Sequence, residues 1–140
     1  MPRRRSASRP FTRQHLPMTT TASDPRLYVI LRADLPPGLM LAQAAHVARK
    51  FTRRFADLPV EEDENLIVLS EKDEPALEDL LLFLRWEAPL ARFEEFREPD
   101  LGGALTAVAI HGGENPELAR WLRKLLSKLP LALRELERAA

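Results

Sequence analysis

Leu27-Tyr28-Val29-Ile30-Leu31, then Asp34-Leu35-Pro36-Pro37-Gly38, then Leu39-Met40-Leu41-Ala42-Gln43-Ala44-Ala45-His46-Val47-Ala48 is the stretch whose reading decides the fold class. The first run is apolar throughout, as in a central strand covered on both faces, and the Pro36-Pro37-Gly38 turn ends it. Beyond the turn the chain reads as a helix to about Phe55, with Leu41, Ala44, Ala48, Phe51 and Phe55 at helical spacing as the expected buried stripe. Ala42, Ala44, Ala45 and Ala48 are small enough to let that helix approach a sheet closely. Arg49, Lys50, Arg53 and Arg54 gather in its last turns, where cations suit the negative dipole end. Gln43 and His46 sit near the start of a helix that follows a strand. Free backbone N–H groups and the positive dipole end converge there, so this is a first candidate site.

Working outward, the acidic run Glu61-Glu62-Asp63-Glu64 leads into a second strand, Leu66–Leu69. Ser70 is the expected N-cap of the next helix, with Asp73 three residues on and Pro75 in the first turn, where a missing N–H costs little. That helix reaches about Trp86. Leu77, Leu80, Leu81 and Leu84 form one face, which Leu82 and Phe83 broaden, so burial on more than one side is expected. Leu90 to Phe96 reads as a third strand, and Pro89 with the charged Arg92, Glu94 and Glu95 suits a sheet edge. Ala104–Ile110 is apolar enough for a central fourth strand. Asn115 and Pro116 then cap and open a third helix, which packs Leu118, Leu122, Leu125, Leu126 and Leu129 inward and stops near Pro130.

The sum is an α/β chain of order β-α-β-α-β-β-α: a small mixed sheet of four strands with helices on both faces. Residues 1–23 form a basic tail, 24–129 the folded domain, and 130–140 a short amphipathic extension through Leu131, Leu133 and Leu136 that lies on the domain or on a second subunit.

Composition narrows the function classes. A chain of 140 residues, 45% hydrophobic and 30% charged, suits one soluble domain with one core. Cysteine is absent, so there is no disulfide, thiolate nucleophile or cysteine-ligated metal, which fits a reducing cytoplasm. His15, His46 and His111 are too scattered for a zinc motif, and neither a metal nor an organic cofactor is expected. The apolar runs fall far short of the roughly 20 residues that cross a bilayer, so no membrane role is expected.

Net charge is zero but unevenly spread: Arg3, Arg4, Arg5, Arg9 and Arg13 stand in a tail without acids, leaving 16 basic against 21 acidic side chains elsewhere. An acidic domain opposes a strong, charge-driven grip on nucleic acid; DNA is not an expected partner, and only the tail favours RNA. The tail is rich in Arg, Ser, Thr and Pro, has no hydrophobic periodicity and is expected to be disordered, with no apolar segment of signal-peptide length. An ordinary solvated terminus, or an extension upstream of a start at Met18, are the other readings of it.

The order of a strand, Asp34-Leu35, Gly38, Ala42-Gln43 and then His46 on the opening helix resembles the type II peptidyl-tRNA hydrolases. A second resemblance lies in Phe96-Arg97-Glu98-Pro99-Asp100-Leu101-Gly102-Gly103-Ala104-Leu105-Thr106-Ala107-Val108-Ala109-Ile110, where that family has an acid and a glycine before a threonine-bearing strand. The similarity spans about residues 26–127. It implies the same architecture, a cytoplasmic homodimer, and tRNA or peptidyl-tRNA as partner. Two departures stand out. Pro37 and Leu39 occupy the places of lysines that the family uses, and the family acid falls on Glu94 without a gap, or on Glu98 or Asp100 with a shortened loop. Ungapped, the family threonine becomes Ala104, with Thr106 two residues on and therefore on the same face.

The implied reaction is cleavage of the ester between a peptide and the ribose of the terminal adenosine, which needs a positioned water, a base and oxyanion donors. The base would be Asp100, or Glu98 in its place. Backbone N–H groups at Gly38–Met40 would face the oxyanion, Gln43 or Thr106 would hold water or substrate, and His46, Arg32, Arg97 or the Arg49–Arg54 cluster would contact the substrate. Most have a plainer reading: a hydrogen-bonded or solvent-facing histidine for His46, a tie to the Pro36–Gly38 turn for Gln43, a solvated helix end for the cluster, a turn acceptor for Asp34, a turn for Glu98 and Asp100, a loop hydrogen bond for His111. A hydrolase-like domain that has lost its lysine and serves as a tRNA-binding, protein-binding or dimerisation module is the alternative, and hydrolysis of another small acyl ester or amide is a third. The segment from Phe96 to Ala104 separates them: Glu98 or Asp100 within reach of the Gly38–Gln43 turn favours catalysis, and both in solvent favours the module.

Overall fold

A computed structural model describes residues 26–58 and 64–134. The expectations for residues 1–23, 61–63 and 135–140 lie outside the described residues. Strand β1 spans Arg26–Arg32, helix α1 Pro37–Arg54, β2 Asn65–Glu71, α2 Glu74–Glu87, β3 Arg92–Glu98, β4 Ala104–His111 and α3 Pro116–Leu126. A 3-10 turn, Pro99–Leu101, joins β3 to β4. The sheet order is β2-β1-β4-β3. β1 and β2 run parallel, and β4 is antiparallel to both β1 and β3. The mixed α/β architecture read from the sequence is present, with α1 on one face and α2 and α3 on the other.

Strand alternation sorts the side chains between two cores. Val29 and Leu31 of β1 with Ala107 and Ala109 of β4 face α1, meeting Met40, Val47 and Phe51. Tyr28, Ile30, Leu105, Val108 and Ile110 face Leu77, Leu81, Leu84, Leu122 and Leu126 of α2 and α3. Four details depart from the sequence reading. The buried stripe of α1 is Met40, Gln43, Val47 and Phe51, and Leu41 is 59% exposed, because the helix phase is set by how α1 lies across the sheet. Ser70 belongs to β2; the cap of α2 is Asp73, whose carboxylate accepts the Ala76 N–H at 3.0 Å. Leu82 and Phe83 are exposed, so α2 is buried on one side only. β3 starts two residues later than expected, at Arg92, and does form a sheet edge.

Residues 130–132 lie along the other edge: Ser70 N–H donates to Pro130 O at 3.0 Å and Ala132 N–H to Val68 O at 2.9 Å. The start of the C-terminal extension thus satisfies the free edge of β2. Asn115 caps α3 as expected, accepting the Glu117 and Leu118 N–H groups. Gly112 lies where α3 leaves β4, and a Cβ there would stand 3.1 Å from the Ala119 backbone. The close approach favours glycine.

Candidate functional site

Three side chains from three elements meet at the α1 face of the sheet, near the C-terminal end of β3. Gln43 points inward from the second turn of α1 and is 1% exposed. Its Nε2 donates to Glu98 Oε2 at 2.8 Å, and its Oε1 accepts from Thr106 Oγ1 at 2.6 Å. The orientation of the amide is fixed chemically, since the reverse would set Oε1 against an ionised carboxylate. Glu98 Oε1 also accepts the Asp100 N–H at 3.3 Å. The 3-10 turn ends at Gly102 with φ 67°, a left-handed conformation that glycine adopts without strain, and Gly103 N–H closes back on Glu98 O at 3.0 Å. This tight reversal brings the end of β3 beside the start of β4.

Thr106 reaches the cluster because the ladder is irregular. Phe96 pairs with Ala107 but Arg97 pairs with Leu105, leaving Thr106 as an extra residue on β4. Unbroken alternation would turn Thr106 toward α2 and α3 with Val108. The bulge instead sends Leu105 to that side and Thr106 to α1, a re-aiming that bulges commonly perform.

The Glu98 carboxyl titrates below its ordinary value of 4.5, held in its charged form by the Gln43 amide, then by the Asp100 N–H, with a smaller contribution from nearby His46. A folded-state value below the unfolded one means that this stabilisation is present above pH 4.5 and is lost as the pH falls through the lowered value. Gln43→Leu, which keeps the volume and removes the donor, should raise the Glu98 titration midpoint; carboxyl-carbon NMR reads it directly. An unmoved midpoint would mean that Gln43 does not hold the charge.

Thr106 is fully buried, and its second acceptor is Phe96 O at 3.3 Å. Thr106→Val strands Gln43 Oε1 without a donor, so we expect a loss of about 1–3 kcal/mol in urea unfolding.

The other residues singled out in the sequence divide sharply. His46 is exposed on α1 beside the cluster, its ring stacked on Phe96 at 4.8 Å. The Asp100 side chain is exposed, and only its backbone N–H joins the site. Glu94 is buried elsewhere under α1, in ion pairs with Lys50 at 3.2 Å and Arg54 at 3.3 Å. Arg97 faces the opposite side of the sheet, paired with Glu78 and Glu95. Arg32 also lies on the α2 side, bound to Asp34 and Glu74 and to Leu105 O. Strand alternation places both arginines away from Glu98. At the start of α1, Pro37 has no N–H and Met40 N–H donates to Pro36 O at 2.9 Å, so Gly38 and Leu39 carry the remaining backbone donors. His111 is buried with Glu64: Gly113 N–H donates to His111 Nδ1 at 2.8 Å, so Nε2 carries the proton toward the Glu64 carboxylate.

Comparison with known proteins bears on the fold. No protein-family model matches the chain, and no curated protein matches it. Among solved structures, it is similar to Atu0240 of Agrobacterium tumefaciens strain C58, described as a protein of unknown function. The two share 13% sequence identity over 77% of this chain and 97% of the other, with a TM-score of 0.58. The likeness extends to the fold alone. Among the described residues, no helix is long and apolar enough to cross a membrane.

Proposed function

We propose that this chain is a hydrolase of the type II peptidyl-tRNA hydrolase kind, with Glu98 as the group that prepares water for attack on the ester between peptide and tRNA. What supports the reading is the joining of Glu98 to Gln43 and Thr106 at one place, from three elements far apart in sequence. An ionised carboxylate offers about four lone-pair sites, and two are taken by Gln43 and Asp100, which leaves acceptor capacity for a water. The water's proton would pass to Glu98 as its oxygen adds to the ester carbonyl, with Gly38 and Leu39 N–H groups as donors to the developing oxyanion; collapse of the adduct breaks the ester C–O bond, and Glu98 returns the proton to the leaving ribose oxygen. Gln43 acts through Glu98 and is a positioning residue. His46, exposed beside the carboxylate, meets the substrate.

The lowered titration of Glu98 makes it charged at neutral pH and also a weak base, so proton transfer to it carries little driving force. With Pro37 and Leu39 in place of lysine, that weak base favours a second reading, a catalytically silent member that binds tRNA or a protein or dimerises. Incubating the full chain with an N-acylated aminoacyl-tRNA and following release of free tRNA separates the two. Turnover supports the hydrolase; tRNA that binds without being cleaved supports the silent member and sinks the enzyme reading for this substrate.

A further inference from the structure

A cavity of about 610 Å³ opens on the α1 side of the ends of β1 and β2, away from Gln43, Glu98 and Thr106. Its size lies within the range of about 300–1,000 Å³ usual for small-molecule sites. Leu35, Pro37 and Met40 wall it on one side, and Leu131 and Leu133 from the segment along β2 wall it on the other. Ser70 is the decisive residue. Only 6% exposed, it shares the α1 face of β2 with Val68, lines the cavity, and its Oγ has no hydrogen-bond partner among the described residues. The hydroxyl is therefore free to pair with a ligand in the cavity.

The charges beside it are lopsided. Lys72 and Arg134 line the cavity and form no ion pair among the described residues, against one lining acid among those residues, Glu71. The start of α1, without an acidic residue in its first turn or a side-chain cap, adds its positive dipole end through Pro37 and Met40. Leu133 holds a φ of 61°, a left-handed conformation costly for a branched residue, where it closes the outer wall. Strain of that kind gathers at ligand clamps.

We propose that this cavity binds a small carboxylate with an apolar tail, the head held by Ser70, Lys72 and Arg134 and the tail by Leu35, Met40 and Leu133. The proposal does not depend on the hydrolase reading, and the two share the start of α1.

Amide spectra of the ¹⁵N-labelled full chain, titrated with octanoate, octanol and octylammonium, test it. Octanoate should shift the amides of Leu35, Met40, Ser70 and Leu133 and bind more tightly than the alcohol, with octylammonium the weakest. Ser70→Ala and Arg134→Ala should each weaken octanoate by about tenfold. Ala33→Trp, at an exposed position on the cavity wall, should block it while the rest of the spectrum stays folded. Three results would each overturn the proposal: no octanoate-dependent shifts at millimolar ligand, octylammonium binding as well as octanoate, or unchanged affinity in folded Ser70→Ala and Arg134→Ala.

Discussion

Glu98→Gln is expected to lower release of tRNA from peptidyl-tRNA by about 10²–10⁴-fold, the usual contribution of a positioned acid or base. The substitution preserves volume, so the lost rate is not a packing effect. It removes the charge and also one acceptor: a glutamine has a single side-chain oxygen, while the Gln43 Nε2 and the Asp100 N–H both point at this carboxyl. The amide left over cannot take a proton from water. Asp100→Asn is the matching control, since the Asp100 side chain is exposed and its N–H survives the change; its turnover should equal that of the native chain. Loss of activity in Asp100→Asn with Glu98→Gln unaffected would move the base into the turn. Below the lowered titration of Glu98, native turnover should fall away on the acid side, and Gln43→Leu should move that fall to higher pH.

The fold was far more legible in the sequence than the site, and particular residues show why. Asn115-Pro116 and the leucines after it carry a cap and a helical period within a dozen residues, and α3 begins there. The apolar β1 and the charged β3 took central and edge places as their patterns require. Gln43 sits in the buried stripe of α1, a position that periodicity reserves for apolar residues. Its partners, Glu98 and Thr106, lie 55 and 63 residues away. No local pattern encodes such a pairing; the acid-glycine-threonine resemblance was the only signal of it. The bulge at Thr106 was illegible for a different reason. Alternation in Leu105-Thr106-Ala107-Val108 is that of a regular strand, and the extra residue follows from the tight Gly102-Gly103 reversal and its register with β3. Arg32 and Arg97 illustrate the converse. Charge near a candidate site in sequence is weak guidance when adjacent strand residues face opposite sides of the sheet.

Phe51→Ala should be the most damaging core substitution under α1, at about 3–5 kcal/mol. The ring is 1% exposed and lies against Phe55, at 4.8 Å between centroids, and against Ala107 and Ala109 of β4. Alanines beneath the helix let α1 approach closely, and they also have no flexible atoms with which to fill a hole. The void therefore stays open, which puts the cost near the top of the range. Leu84→Ala on the other face offers the contrast: Leu77, Leu81, Leu122 and Leu126 share that core and can repack into the space, so its cost belongs nearer about 2–3 kcal/mol. Urea unfolding of both variants checks the order, with unchanged m values showing that the native and denatured states keep their extent. Small domains hold only about 5–15 kcal/mol in all, so Phe51→Ala removes a large share. The same helix carries Gln43 two turns earlier. A loosened α1 weakens the Gln43–Glu98 bond as well, so in Phe51→Ala the Glu98 titration should drift upward, while in Leu84→Ala it should stay in place.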